Sequence, residues 1–251
     1  MNKTPVSGAL FTLFGTLLLG SAQADTLGIQ AGAGVWDNEF DGDFSNRGGN
    51  ISASQFNFGD ETEGFVYLAF EHPVPVLPNL KLQYGRNDSS GTGNVNVDFA
   101  GQTFTGNVDA TIDLKQLDVI MYYELLDNWV NLDAGINVKV IDGNITLNQE
   151  DTNTRGSADF SAAMPMLYGA ARFDLPFSGA SVGAEGSFLA FDGHRIADYK
   201  VNAGYQFIDT PAFGLGVEVG YRQLELRLDD LSDVNADVSF SGPMANLTMH
   251  F

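Results

Sequence analysis

Of the three histidines only His194, beside Asp192, falls on the predicted loop side, where an imidazole and a carboxylate together could make a general base. The other two histidines, His72 and His250, fall by a predicted turn and in the predicted last strand. The run Asp37-Asn38-Glu39-Phe40-Asp41-Gly42-Asp43 starts as a calcium loop does, with acids at Asp37, Glu39, Asp41 and Asp43 and Gly42 in the sixth place. Its twelfth place holds Gly48 where a bidentate Glu is needed, and no helical pattern flanks it. The expectation is a solvated acidic loop that holds divalent cations only loosely. With 0 Cys, thiolate nucleophiles, disulfides and Cys-ligated metals are excluded. No cofactor is expected.

Charge narrows the partners. Twelve Lys plus Arg stand against 32 Asp plus Glu among 251 residues, a formal net charge of −20. Phosphate binding needs a basic surface, so nucleic acid is not a partner.

The elements that position these side chains alternate with period two. Leu27, Ile29, Ala31, Ala33 and Val35 share one face, with Gly28, Gln30, Gly32 and Gly34 opposite. Similar alternation spans 65–71, 80–85, 116–125, 130–140, 166–175, 182–188, 198–207, 213–222 and 245–251. Each segment has one apolar face and one small or polar face, the pattern of a half-buried strand. Short connections (73–78, 127–128, 176–179, 209–212) alternate with predicted long loops at 37–62, 87–108, 142–160 and 227–237 and a shorter one at 192–194.

The first 24 residues read differently. Lys3 precedes an apolar stretch, and Ala22 and Ala24 fit a small-residue cleavage site, so 1–24 is expected to be a cleaved signal peptide. Residues 25–251 are then one domain. No stretch after Ala24 supplies the roughly 20 apolar residues of a membrane helix. Strands can still cross a membrane if they close into a ring.

The two faces favour lipid over a second protein layer. The apolar faces carry no charge along their central stretches, and a charge at mid-bilayer costs a barrel about 2–4 kcal/mol. Aromatics gather at both strand ends: Phe70, Tyr123, Trp129, Phe173, Phe207, Phe213 and Phe251 on one side, Tyr84, Phe188, Tyr199 and Tyr221 on the other. Two such rows match the girdles of a membrane barrel. The opposite faces put Glu71, Asp118, Glu124, Asp133, Asp174, Glu185, Asp198 and Glu218 in the lumen, with Lys81, Lys139, Arg172, Lys200 and Arg222. Ten strands leave little spare interior, so an ion-paired plug is expected ahead of a narrow pore.

The last residues, Ala245-Asn246-Leu247-Thr248-Met249-His250-Phe251, alternate up to a terminal Phe. This resembles the closing strand of Gram-negative outer-membrane proteins, and the whole chain resembles the small, glycine-rich, mostly uncharacterised outer-membrane β-barrels of Gammaproteobacteria. The resemblance implies an all-β, antiparallel, up-and-down transmembrane barrel of ten strands, with eight the alternative. It also implies an outer-membrane location, with outer-membrane lipid and lipopolysaccharide as surroundings. Leu247, Met249 and Phe251 would form the signal read by the barrel-assembly machinery, after handling by periplasmic chaperones. Arg47-Gly48-Gly49-Asn50 fits the same family's first loop. Omptins, ten-stranded outer-membrane proteases, use paired Asp and an Asp–His couple, and neither motif is recognisable here. The expectation is therefore a non-enzymatic barrel, structural or surface-interacting through acidic loops. A narrow porin-like channel for ions or small solutes is the alternative, and a protease comes third.

Overall fold

The computed structural model describes residues 27–251 apart from Pro211. The predicted leader, with Ala22 and Ala24, lies outside the described residues. The chain runs β1 (Gly28–Asn46), β2 (Ile51–Ser52), β3 (Glu61–Glu71), β4 (Asn79–Phe99), β5 (Gln102–Leu126), β6 (Val130–Gln149), β7 (Thr154–Asp174), β8 (Ala180–Phe191), β9 (His194–Thr210), β10 (Phe213–Leu231) and β11 (Val234–His250). Short 3-10 turns occupy Ala53–Gln55 and Glu150–Thr152.

All pairings are antiparallel, and they join neighbours in the chain except for β1–β3, which skips two-residue β2, and β1–β11, which closes the sheet. There β1 pairs with β11 from Gln30↔His250 to Asn46↔Val234. Ile29 N–H donates to the carbonyl of Phe251 at 3.2 Å, and Phe251 N–H donates back at 2.9 Å. Ten strands thus form a ring, while two-residue β2 lies on β1 at Asp43 and Phe44. Closure gives the terminal strands backbone partners that an open sheet would lack.

The strands are longer than the alternation of the apolar faces suggests. Positions 87–108 and 142–160, expected as long loops, are hairpins: β4–β5 turns at Ala100-Gly101 and β6–β7 at 150–153. Segment 227–237 is likewise a hairpin, turning at Ser232-Asp233. Ala100 (φ 49°) and Gly101 (φ 74°) are both left-handed, the geometry of a tight turn matched to sheet twist. Asp192 (φ 50°) and Gly193 (φ 82°) repeat it.

A switch of parity explains the difference. On β5 the outward apolar positions are odd (Leu117, Met121, Tyr123, Leu125), and those beyond are even and buried (Phe104, Val108, Ile112, Leu114). The outward positions of that far part are Thr103, Thr105, Asn107, Asp109, Asp113 and Lys115. The switch recurs on β6, where exposed Leu132, Ile136 and Val140 give way to buried Ile141, Ile145 and Leu147. Strand alternation persists throughout; only the side that is apolar changes. From Leu117 to Leu125 the strand rises about 27 Å, or about 20 Å along the axis at a 35–45° tilt, close to the height of a membrane-barrel apolar band.

The far end is sealed by its own core. Trp36, Phe40, Phe44, Phe99, Phe104, Phe160 and Phe240 pack there with Leu114, Ile145, Ile196 and Leu226. Segment 47–60 crosses the wall where β3 ends, and places Ile51, Ala53 and Phe56 in that core. It passes so near β4 that a Cβ on Gly93 would stand 1.9 Å from the carbonyl oxygen of Gln55.

Candidate functional site

Inside the ring the lumen has three tiers, each set by which residues the strands point inward. The far tier is the apolar core. It holds a small apolar cavity, about 20 Å³, lined by residues such as Phe44, Ile145, Phe160 and Leu228.

The middle tier is a belt of ion pairs. Lys139, with 0% side-chain exposure, sets its Nζ 2.8 Å from Asp118 and 2.8 Å from Asp198. It also donates to Gln116 Oε1 at 3.1 Å. Arg222 binds Asp198 with both arms of its fork, Nε at 2.9 Å and Nη2 at 2.7 Å. Its guanidinium sits 4.5 Å from the ring centroid of Trp36, joining the belt to the apolar tier above. Lys81 and Lys200 share Glu185, at 2.7 and 3.0 Å. Because β4, β5, β6, β8, β9 and β10 all contribute, the pairs cross the lumen and are not confined to neighbouring strands. Charges so deep persist only when paired and hydrogen-bonded.

The third tier is a polar vestibule at the turn end. Its main chamber measures about 250 Å³ and a side chamber about 150 Å³. Glu71 accepts hydrogen bonds from Gln30 Nε2 (2.9 Å) and Tyr122 Oη (2.8 Å). Glu218 accepts from Asn202 (3.0 Å) and Asn246 (3.2 Å). Arg172 at the mouth pairs with Asp174 at 2.8 Å. The floor is the Lys81–Glu185–Lys200 group, and Tyr67, Tyr122 and Tyr168 stand in the wall.

These tiers gather the charges expected in the lumen. Lys81, Asp118, Lys139, Glu185, Asp198, Lys200 and Arg222 meet in the belt. Glu71, Glu124, Asp133, Arg172 and Glu218 line the vestibule, and Asp174 sits beside Arg172. On the outer surface Leu247 and Phe251 are exposed, while Met249 is half-buried.

The acidic run falls elsewhere. Asp37, Glu39, Asp41 and Asp43 are in strand β1, not in a loop, and lie along its outer face with Asp37 accepting from Thr62 Oγ1 at 2.9 Å. Among the described residues no three acids or histidines converge to hold a metal ion. The predicted calcium-like loop is therefore corrected to an acidic outer wall. His194 starts β9 at a hairpin tip, where its Nδ1 accepts the backbone N–H of Asp229 at 3.2 Å.

Two features escape a reading based on lipid-facing residues. The apolar far tier is signalled by Val95, Phe99, Phe104, Val108 and Ile112, which alternate through a segment expected as loop. The vestibule tyrosines and Ser181 are visible in the sequence only as members of polar faces, without a cue that they share one chamber.

No family model matches this chain, and no curated protein matches it. Among solved structures, it is similar to the outer membrane protease OmpT from Escherichia coli at 10% identity and a TM-score of 0.49, covering 92% of this chain and 100% of that one. It is also similar to a Pseudomonas aeruginosa FadL homologue at 9% identity and a TM-score of 0.33, covering 90% of each.

Proposed function

We propose that this chain is an integral outer-membrane β-barrel with a closed lumen, exported by a leader cleaved after Ala24, and that it is a structural or surface-interacting protein without enzymatic activity. One observation carries the reading: an uncharged apolar belt encircles the outside at the level where ion pairs fill the inside. Exposed Val66, Leu82, Ile136, Val201, Val219 and Leu247 come from six different strands. In water such a belt exceeds the few hundred Å² of contiguous apolar surface a monomer tolerates, whereas hydrocarbon covers it at no cost. Lipid and lipopolysaccharide are then its surroundings, and Phe251 at the closing seam presents the signal for the barrel-assembly machinery after passage by periplasmic chaperones.

Closure rests on two barriers in series. An ion crossing the far core would lose its hydration against phenyl rings, and one crossing the belt would have to part buried pairs. Refolded protein in a planar bilayer is expected to add no steady conductance. Stable single-channel openings would reject the closed lumen and favour the porin-like alternative.

A further inference from the structure

The turn joining β3 to β4 is built unlike the rest of this acidic surface. From His72 to Leu80 it carries no Asp, Glu, Lys or Arg, in a chain of net charge −20. Val74, Val76 and Leu77 are 47%, 79% and 57% exposed. Single exposed apolar residues are ordinary, but several together on one turn mark a surface that meets something.

The backbone of this turn is nearly stripped of free donors. Pro73, Pro75 and Pro78 have no N–H at all. Leu77 N–H donates to the carbonyl of Val74 at 3.2 Å, with Pro75 in the second place of the turn, where its fixed φ fits. Val74 N–H donates to His72 Nδ1 at 3.3 Å, and His72 Nε2 donates to the carbonyl of Pro78 at 3.2 Å, so one imidazole tautomer ties both ends. Within 73–78 this leaves the N–H of Val76 as the one donor not bonded inside the turn. The carbonyl of Val76 is itself taken, by Tyr123 Oη at 3.1 Å. Irregular backbone is kept out of lipid by its unsatisfied polar groups, and here few donors remain to do so.

The bond from Tyr123 also says where the turn lies. Tyr123 is exposed on the outer face of β5, in the turn-side row of aromatics, and exposed Leu80 and Leu82 lead from the turn along β4 into the apolar belt. We propose that the 73–78 turn inserts into the boundary between headgroups and acyl chains of the turn-side leaflet, and that phospholipid is what covers Val74, Val76 and Leu77. It acts there as an anchor that fixes the depth of the barrel. The inference rests on the membrane-barrel reading. A protein partner can bond to backbone N–H groups, so it gains nothing from their removal, whereas lipid does.

The chain has 0 Cys, so single substitutions place a fluorescent label cleanly. Val76→Cys carries an environment-sensitive dye in protein refolded into phosphatidylcholine–phosphatidylethanolamine vesicles. Leu82→Cys in the belt is the lipid reference, and Asp151→Cys at the tip of the β6–β7 hairpin is the water reference. The label at 76 is expected to emit to the blue of the label at 151. Nitroxide on the upper acyl chain should quench it several-fold more strongly than that label, and iodide several-fold less. Water-like readings at 76 beside lipid-like readings at 82 would overturn the anchor and leave the barrel standing. Water-like readings at both positions would remove the membrane reading itself. Protection from iodide that appears only at high protein-to-lipid ratio would make a second copy the occupant and overturn the proposal likewise. Leu77→Cys repeats the measurement should the label at 76 disturb the turn.

Discussion

Lys139 on β6 and Asp198 on β9 approach to 2.8 Å across the lumen, although β7 and β8 separate their strands in the wall. Lys81 and Glu185 repeat the arrangement between β4 and β8 at 2.7 Å. The wall's own hydrogen bonds fix each strand only to its neighbours, so these ion pairs, together with the far core, tie opposite sides together. Burial in the lumen protects them from the screening that makes surface pairs weak.

Lys139→Ala is expected to destabilise the barrel by about 3–5 kcal/mol, since Asp118 and Asp198 would lose their shared cation while still buried. Arg222 keeps part of the charge of Asp198 balanced. Urea unfolding in micelles, followed by tryptophan emission, measures the loss.

Ile136 and Asn144 lie on the outer face of one strand, one in the apolar belt and the other beyond it. Ile136→Arg is expected to cost about 2–4 kcal/mol in a bilayer. Asn144→Arg is expected to change stability by no more than about 0.5 kcal/mol. Unfolding in lipid vesicles compares the two; equal costs would remove the belt's boundary.

Phe104 is fully buried in the far core. Phe104→Ala should cost about 3–5 kcal/mol by leaving a cavity among rings. The bilayer should stay silent all the same, because the belt below is intact. Conductance in this single variant would show that the apolar tier alone closes the lumen.

Gly93→Ala would push against the carbonyl of Gln55 and lift segment 47–60 from the gap above β3. Limited proteolysis is expected to cut this variant near Phe56 and Phe58 sooner than the parent, with the remaining strands resistant.

Glu63, at the far end of β3, has its carboxyl raised above the usual range, first by burial and then by the charge of Asp88. A raised folded value means the stability this group contributes is present below its unfolded value, about 4.3, and is lost as pH rises through the folded one. Glu63→Gln is therefore expected to gain stability over the parent at pH 7 and to show no such gain at pH 3. Paired thermal melts at the two values check the sign.

Much of this was legible in alternation alone. The outward sides of 80–85, 116–125 and 198–207 announce themselves because a belt facing hydrocarbon must carry no charge. The lumen charges followed from the same parity, since Lys139 and Asp118 can only point opposite to Val140 and Leu117. Which acid meets which base was not legible, because Lys139–Asp198 depends on the ring's curvature and on the shear between strands far apart in the chain. The far tier was hidden for another reason. Val95, Phe99 and Phe104 sit among Gly, Asn and Thr, a composition that suggests loops when it in fact forms a wall with polar residues outside and phenyl rings within.

The most direct measurement is sedimentation of the purified chain 25–251 before and after detergent is removed. If lipid covers the belt, the protein is a folded monomer in micelles and becomes large, polydisperse aggregates in plain buffer. A folded monomer that persists in plain buffer would contradict the membrane barrel.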